Sequence, residues 1–156
     1  MNTAGENMVQ VKIMLPENDW YSFKAETIWA TPLGDNLYRV ENPPFFADNI
    51  SYLDVVFAWH DTERNWLIFK SVRQRSGNST FRIILGDDST YETFCAGIAP
   101  ALEMGCTYEN IKNHQFALNV PAGVDIKSVT GILNKGQTAG VWYFEPSHIF
   151  NDKEVL

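Results

Sequence analysis

The sequence predicts an α+β protein of two lobes, the first built of strands alone and the second of alternating strands and helices. Three observations carry that expectation. Up to about residue 80 the apolar residues alternate with polar ones in short runs, with no convincing helical spacing. Beyond residue 80, strand-like runs alternate with two segments whose apolar residues recur every three or four positions. Finally, 13% of the 156 residues are aromatic, including five Trp and ten Phe, and each buried ring removes a large area from water.

In chain order, Val9, Val11, Ile13 and Leu15 alternate with polar neighbours as a half-buried strand does, and Pro16 to Asp19 read as a turn. Tyr21, Phe23, Ala25, Thr27 and Trp29 form the apolar side of a second strand. Pro32 to Asn36 turn the chain back into a short third strand, Leu37 to Val40. Asn42-Pro43-Pro44 cannot lie in a central strand, because proline offers no ladder donor. Asp54–Trp59 and Trp66–Val72 are apolar runs joined by the polar loop 60–65, a hairpin. Five short strands without a helix fit a small barrel-like lobe over residues 1–80.

Phe81, Ile83 and Leu85 begin the second lobe, residues 81–156. Ser89 to Glu92 fit a capping box for a first helix, which Gly97 and Pro100 are expected to kink or break. Phe116, Leu118 and Val120 form the next strand. Asp125 caps a second helix with Ile126, Val129, Ile132 and Leu133 on one face, ended by Gly136 or Gly140, and Val141 to Phe144 close the lobe. This βαβαβ order is ferredoxin-like in kind. Trp59, Trp66 and Trp142 are expected in the core. No linker separates the lobes, which points to one compact unit.

Composition narrows the function. The net charge is −7, and it is uneven: ten acids against eight bases up to residue 86, nine against four afterwards. Such a balance opposes binding to nucleic acid, which needs a basic face, and suits a basic protein partner. No run approaches the roughly 20 apolar residues of a membrane helix, and Met1–Val9 has no signal-like character, so a cytoplasmic protein is expected. Cys95 and Cys106 read as reduced structural thiols, and His60, His114 and His148 stand singly, without metal-ligand spacing. No cofactor, metal or catalytic motif is expected.

Two segments are candidates for binding. In Arg73-Gln74-Arg75-Ser76-Gly77-Asn78-Ser79-Thr80-Phe81-Arg82, a glycine, hydroxyl and amide side chains and three arginines could cradle an anion, through Arg73, Arg75, Ser76, Asn78, Ser79 and Arg82. Phosphate loops normally open a helix, whereas this one opens a strand, and a tight connection between lobes is the favoured reading. Phe45 and Phe46, after the two prolines, could anchor a partner. The acids Asp87, Asp88, Glu92, Glu103 and Glu109 form the candidate acidic surface of the second half.

Several stretches are similar to the DUF4265 family of bacterial proteins of unknown function: Glu26-Thr27-Ile28-Trp29-Ala30, Leu33-Gly34, Tyr38-Arg39, Asn42 to Ala47, Ser51, Asp54-Val55-Val56, Arg75 to Arg82, Leu102, Gly105-Cys106 and Trp142 to Glu145. Asn78 stands where the family pattern suggests a histidine, and the Gly97–Pro100 helix is unusual. The resemblance implies a gene beside a polymorphic toxin, of the Rhs or contact-dependent inhibition kind. It thereby implies a non-catalytic immunity protein that binds a cognate toxin domain; the charge pattern and the aromatic pair add the expectation of a free monomer that binds through the acids and Phe45 and Phe46. An anion-binding module or enzyme using the Arg75 loop, and a general protein-interaction module, are the alternatives.

Overall fold

The computed structural model describes residues 7–18 and 20–156. The first lobe holds β1 (Val9–Met14), β2 (Ala25–Gly34), β3 (Leu37–Val40), β4 (Val55–Asp61) and β5 (Trp66–Gln74). Each pairs antiparallel with the next, and β1 returns to β5 in parallel at Lys12 and Ile68, closing the ring. Asp35 and Asn36 both have positive φ (57° and 61°), the conformation that lets a two-residue turn follow the strand twist between β2 and β3.

The interior of this ring is small, and that decides which face of each strand turns inward. Val11, Ile13, Ile28, Ala30, Val40, Val56 and Ala58 fill it, with Ala47 and Ile50 from the β3–β4 connection. Five strands leave no room for rings. In β2 the alternation therefore runs opposite to the expected phase: Glu26, Ile28 and Ala30 are buried, while Trp29 lies outside, as does Phe23 just before the strand. Trp59, expected in the core, is 52% exposed for the same reason, and Lys70 sits over its ring at 5.2 Å. Trp66 is half-buried under Lys12 and Arg64.

The second part runs β6 (Ser79–Leu85), α1 (Tyr91–Glu103), β7 (Thr107–Ile111), β8 (Gln115–Val120), α2 (Ile126–Thr138) and β9 (Trp142–His148). Its four strands lie in the order β7-β8-β6-β9, every neighbour antiparallel. The order is thus βαββαβ rather than βαβαβ. The expected order leaves out β7, whose Thr-Tyr-Glu-Asn-Ile at a sheet edge buries too little to alternate. The whole chain is mixed α+β with nine strands and two full helices among the described residues, and neither helix is long and apolar enough to cross a membrane.

Thr90, not Ser89, caps α1, its hydroxyl accepting from the Thr93 amide at 3.2 Å. The helix continues unbroken through Gly97 and Pro100 to Glu103. Both Gly97 and Gly136 make room for Trp142, which is 1% exposed and donates from Nε1 to the Leu133 carbonyl at 2.8 Å. A Cβ at Gly97 would stand 3.0 Å from that indole, and one at Gly136 only 2.2 Å. Gly136 is therefore a packing residue inside α2, and Gly140, at φ 78°, follows the helix end. Around Trp142 the sheet residues Phe81, Ile83, Phe116 and Leu118 meet Phe94, Ile98, Val129 and Leu133 of the helices. The Phe94 and Phe116 rings stack at 3.7 Å.

Candidate functional site

With both helices on one side, the other side of the sheet turns Thr80, Arg82, Ile84, Tyr143 and Glu145 toward the first lobe. A cleft of about 930 Å³ opens there, between Arg82, Ile84, Tyr143 and Glu145 of the sheet and Met14, Trp20, Tyr21, Phe46, Asp48 and Lys70 of the barrel side. One wall is aromatic: Phe46 lies 4.5 Å from Phe23, 5.1 Å from Trp20 and 5.6 Å from Tyr21, centroid to centroid. Trp20, Phe23 and Tyr143 are all substantially exposed.

Two buried charges position this wall. The Glu26 carboxylate accepts from the amides of Phe45 (2.6 Å), Phe46 (2.9 Å) and Ala47 (2.9 Å). Burial raises its pKa, against the opposing pull of those three amides and of Arg82. Arg82 grips the same segment from the sheet side. Its Nε donates to the Phe45 carbonyl at 2.7 Å and its Nη2 to the Phe46 carbonyl at 2.9 Å. A carboxylate thus takes the N–H groups and a guanidinium the C=O groups of one short stretch, and Phe46 is held between them. Arg82 also pairs with Asp48 (3.0 Å) and Glu145 (2.5 Å) and passes 5.2 Å from the Trp20 ring centre. The arginine side chain is 6% exposed, whereas Asp48 and Glu145 remain 63% and 59% exposed. Carboxylate oxygens therefore face solvent at the cleft.

The candidate anion loop is a junction. Asp54, fully buried, accepts from the Ser51 and Ser76 amides, both at 2.9 Å, and from Arg75 Nη1 at 2.9 Å. Arg75 also donates to the Asn49 carbonyl (2.7 Å) and, from Nε and Nη2, to Glu154 (3.0 and 2.7 Å). Ser76 and Asn78 side chains both donate to the Tyr52 carbonyl, Asn78 Oδ1 accepts from the Ala122 amide, and Ser79 Oγ accepts from the Phe150 amide. Arg73 lies apart, over Phe57 at 4.4 Å and bonded to Ser71. Gly77 has φ 96°, which fits a glycine at the turn. The six proposed anion ligands do not converge: Arg75 and Arg82 each hold two carboxylates and backbone carbonyls, and Arg82 belongs to the cleft.

Beside this junction, Ser51 Oγ lies 2.8 Å from both Thr80 Oγ1 and His148 Nδ1, with Glu154 Oε1 3.6 Å from His148 Nε2. Ser51 is wholly buried, so the trio resembles a hydrolytic one in residue type only. Burial, then the Arg75 charge, hold His148 below its ordinary pKa. The unfolded histidine therefore takes a proton near pH 6.5 while the folded one resists it, and stability must fall as pH drops through and below that value. Thermal melts between about pH 8 and pH 5 should show this loss, and His148→Asn should flatten it.

Of the predicted partner-binding residues, Phe46 lines the cleft and Phe45 sits beside it at 6.5 Å. The acids do not form one patch. Asp87, Asp88 and Glu92 are exposed at the start of α1, Glu103 stands at its other end, about 18 Å along the helix, and Glu109 is on β7. Sequence reasoning missed Trp20, Tyr21, Asp48, Lys70, Tyr143 and Glu145, which only the meeting of the lobes assembles. The usable signal was Trp20 directly after a polar turn.

No curated protein matches this chain. Among solved structures it is similar to one titled a novel crystal structure of a hypothetical protein from Neisseria gonorrhoeae, at 20% identity and a TM-score of 0.74, covering 91% of this chain and 96% of that one. That likeness concerns the fold. The model of the family described as a domain of unknown function, DUF4265, matches residues 26–144, and the chain belongs to that family.

Proposed function

We propose that this protein is a non-catalytic immunity protein that binds a cognate bacterial toxin domain in the cytoplasm, with the cleft between its lobes as the docking surface. The observation that carries the reading is the cleft itself. Exposed rings stand beside a buried arginine whose two carboxylate partners face solvent, which is the combination of aromatic anchors and charge that protein interfaces favour. A basic side chain of the toxin would meet Asp48 and Glu145 while its apolar neighbours cover Trp20 and Tyr143. The exposed acids Asp87, Asp88, Glu92, Glu103 and Glu109 would act at longer range, steering a basic partner toward the molecule. In this reading the free protein is a monomer of two lobes, residues 1–80 and 81–156. The βαββαβ order with β8 beside β6 supports describing the second as ferredoxin-like.

The test is co-expression with the toxic C-terminal domain encoded by the neighbouring upstream gene. The parent should restore growth against that toxin alone, and a Trp20→Ala/Tyr143→Ala variant should lose most of that protection while remaining folded. Absence of rescue by a soluble, well-expressed parent would exclude the immunity role.

A further inference from the structure

Beyond β9, residues 149–156 run on without helix or strand and stay exposed. The tail is tied to the body at Phe150, whose amide donates to Ser79 Oγ at 2.9 Å, and at Glu154, which a turn from Asn151 presents to Arg75. We propose that Arg75 and His148 form a binding site for a carboxylate, which Glu154 occupies as an internal stand-in and an outside carboxylate takes by exchange. The site is separate from the cleft and does not depend on the immunity reading.

The leading observation is an orphan donor. The His148 side chain is 4% exposed, and its Nε2 has no hydrogen-bond partner among the described residues. The nearest carboxylate oxygen, Glu154 Oε1, lies over it at 3.6 Å, beyond hydrogen-bond range. A lone pair on Nε2 would face that carboxylate, so the proton belongs on Nε2, while Nδ1 accepts from Ser51 Oγ at 2.8 Å. Nε2 is thus a buried donor aimed at the position Glu154 fills, and a carboxylate oxygen brought into range removes the cost of leaving it unpaired.

The second observation is how Glu154 sits. Arg75 Nε and Nη2 both donate to its Oε2, at 3.0 and 2.7 Å, so one oxygen takes the whole fork and the other falls short of the imidazole. A carboxylate free of the tail can serve all three donors. The fork is fixed in advance, because Arg75 Nη1 is held by Asp54 and by the Asn49 carbonyl. The Asp54 carboxylate on the same guanidinium disfavours a dianion, which selects a carboxylate over phosphate. The stand-in is readily exchanged: Glu154 is partly exposed, such ion pairs contribute little, and Val155 and Leu156 beyond it remain exposed.

The test is acetate titrated at fixed ionic strength into the isotope-labelled protein, with the Arg75 Nε–H and the His148 ring as reporters. In Glu154→Ala, a change in the exposed tail that should leave the spectrum away from the junction as it is, both reporters should shift saturably. The parent should bind acetate at least about fivefold more weakly, because its tethered carboxylate competes. Adding His148→Asn to Glu154→Ala should weaken acetate at least about threefold, read at Arg75. The carboxylate can come from a protein's acidic side chain or from a free small molecule. A capped Gly-Glu-Gly peptide binding more tightly than acetate would assign the first source, and weaker binding the second. No saturable response in Glu154→Ala, equal binding by the parent, undiminished binding in the double variant, or phosphate binding more tightly than acetate would each overturn the proposal.

Discussion

Asp54→Ala is expected to destabilise the protein by about 3–5 kcal/mol, the usual cost of removing one member of a buried ion pair. Three donors converge on this wholly buried carboxylate: the Ser51 and Ser76 amides and the Arg75 guanidinium. Alanine would strand two amides and leave Arg75 with Glu154, at the chain's end, as its carboxylate partner. The consequences spread because Asp54 sits where the lobes join. Ser51 carries the hydrogen bonds to Thr80 and His148, and Ser76 begins the turn into β6. Urea denaturation of Asp54→Ala should show a large fall in midpoint. Asp54→Asn, which keeps one oxygen and the shape, should lose clearly less.

Trp142→Ala should cost a similar amount, about 3–5 kcal/mol, for a different reason. The indole is the largest fully buried side chain of the sheet–helix core, and it fits against the backbone of two helices at once. On the helix side two of its neighbours are glycines, which have no side chain to move into the hole. The reciprocal substitution is equally informative. Gly136→Ala places a methyl 2.2 Å from the indole, a distance no small adjustment relieves, and should cost at least about 1–3 kcal/mol. In a Trp142→Phe background the same alanine should cost less, and the difference, read as a double-mutant cycle, measures the fit directly.

The sequence made strands legible wherever one face is apolar and the other polar, and helices wherever a cap precedes a stripe. It did not reveal which phase of β2 turns inward. Alternation identifies two faces, and the larger rings suggested Phe23 and Trp29 for the core. The choice depends on the barrel's diameter, a property of five strands together, and a narrow interior takes Ile28 and Ala30 instead. Gly97 and Pro100 were read as helix breakers through local propensity; tertiary packing against Trp142 overrides it at Gly97, and Pro100 lies exposed on the same unbroken helix. For the site, Phe46 was legible as an aromatic after a proline turn. Arg82 was also legible, but for the wrong role, since sequence neighbours suggested an anion loop while its partners Asp48 and Glu145 lie 34 and 63 residues away. A cleft between lobes has no local signature.

The most direct test of the account is calorimetric titration of the purified toxin domain into the parent and three variants: Trp20→Ala, Tyr143→Ala and Trp59→Ala. Trp59 is as exposed as the cleft residues but does not line the cleft, so it controls for loss of any surface ring. The account predicts that the parent binds, that each cleft variant weakens binding by about 30-fold or more, and that Trp59→Ala binds as the parent does. Tight binding that ignores Trp20 and Tyr143 yet collapses in Trp59→Ala would contradict it and move the interface to the outer face of the barrel.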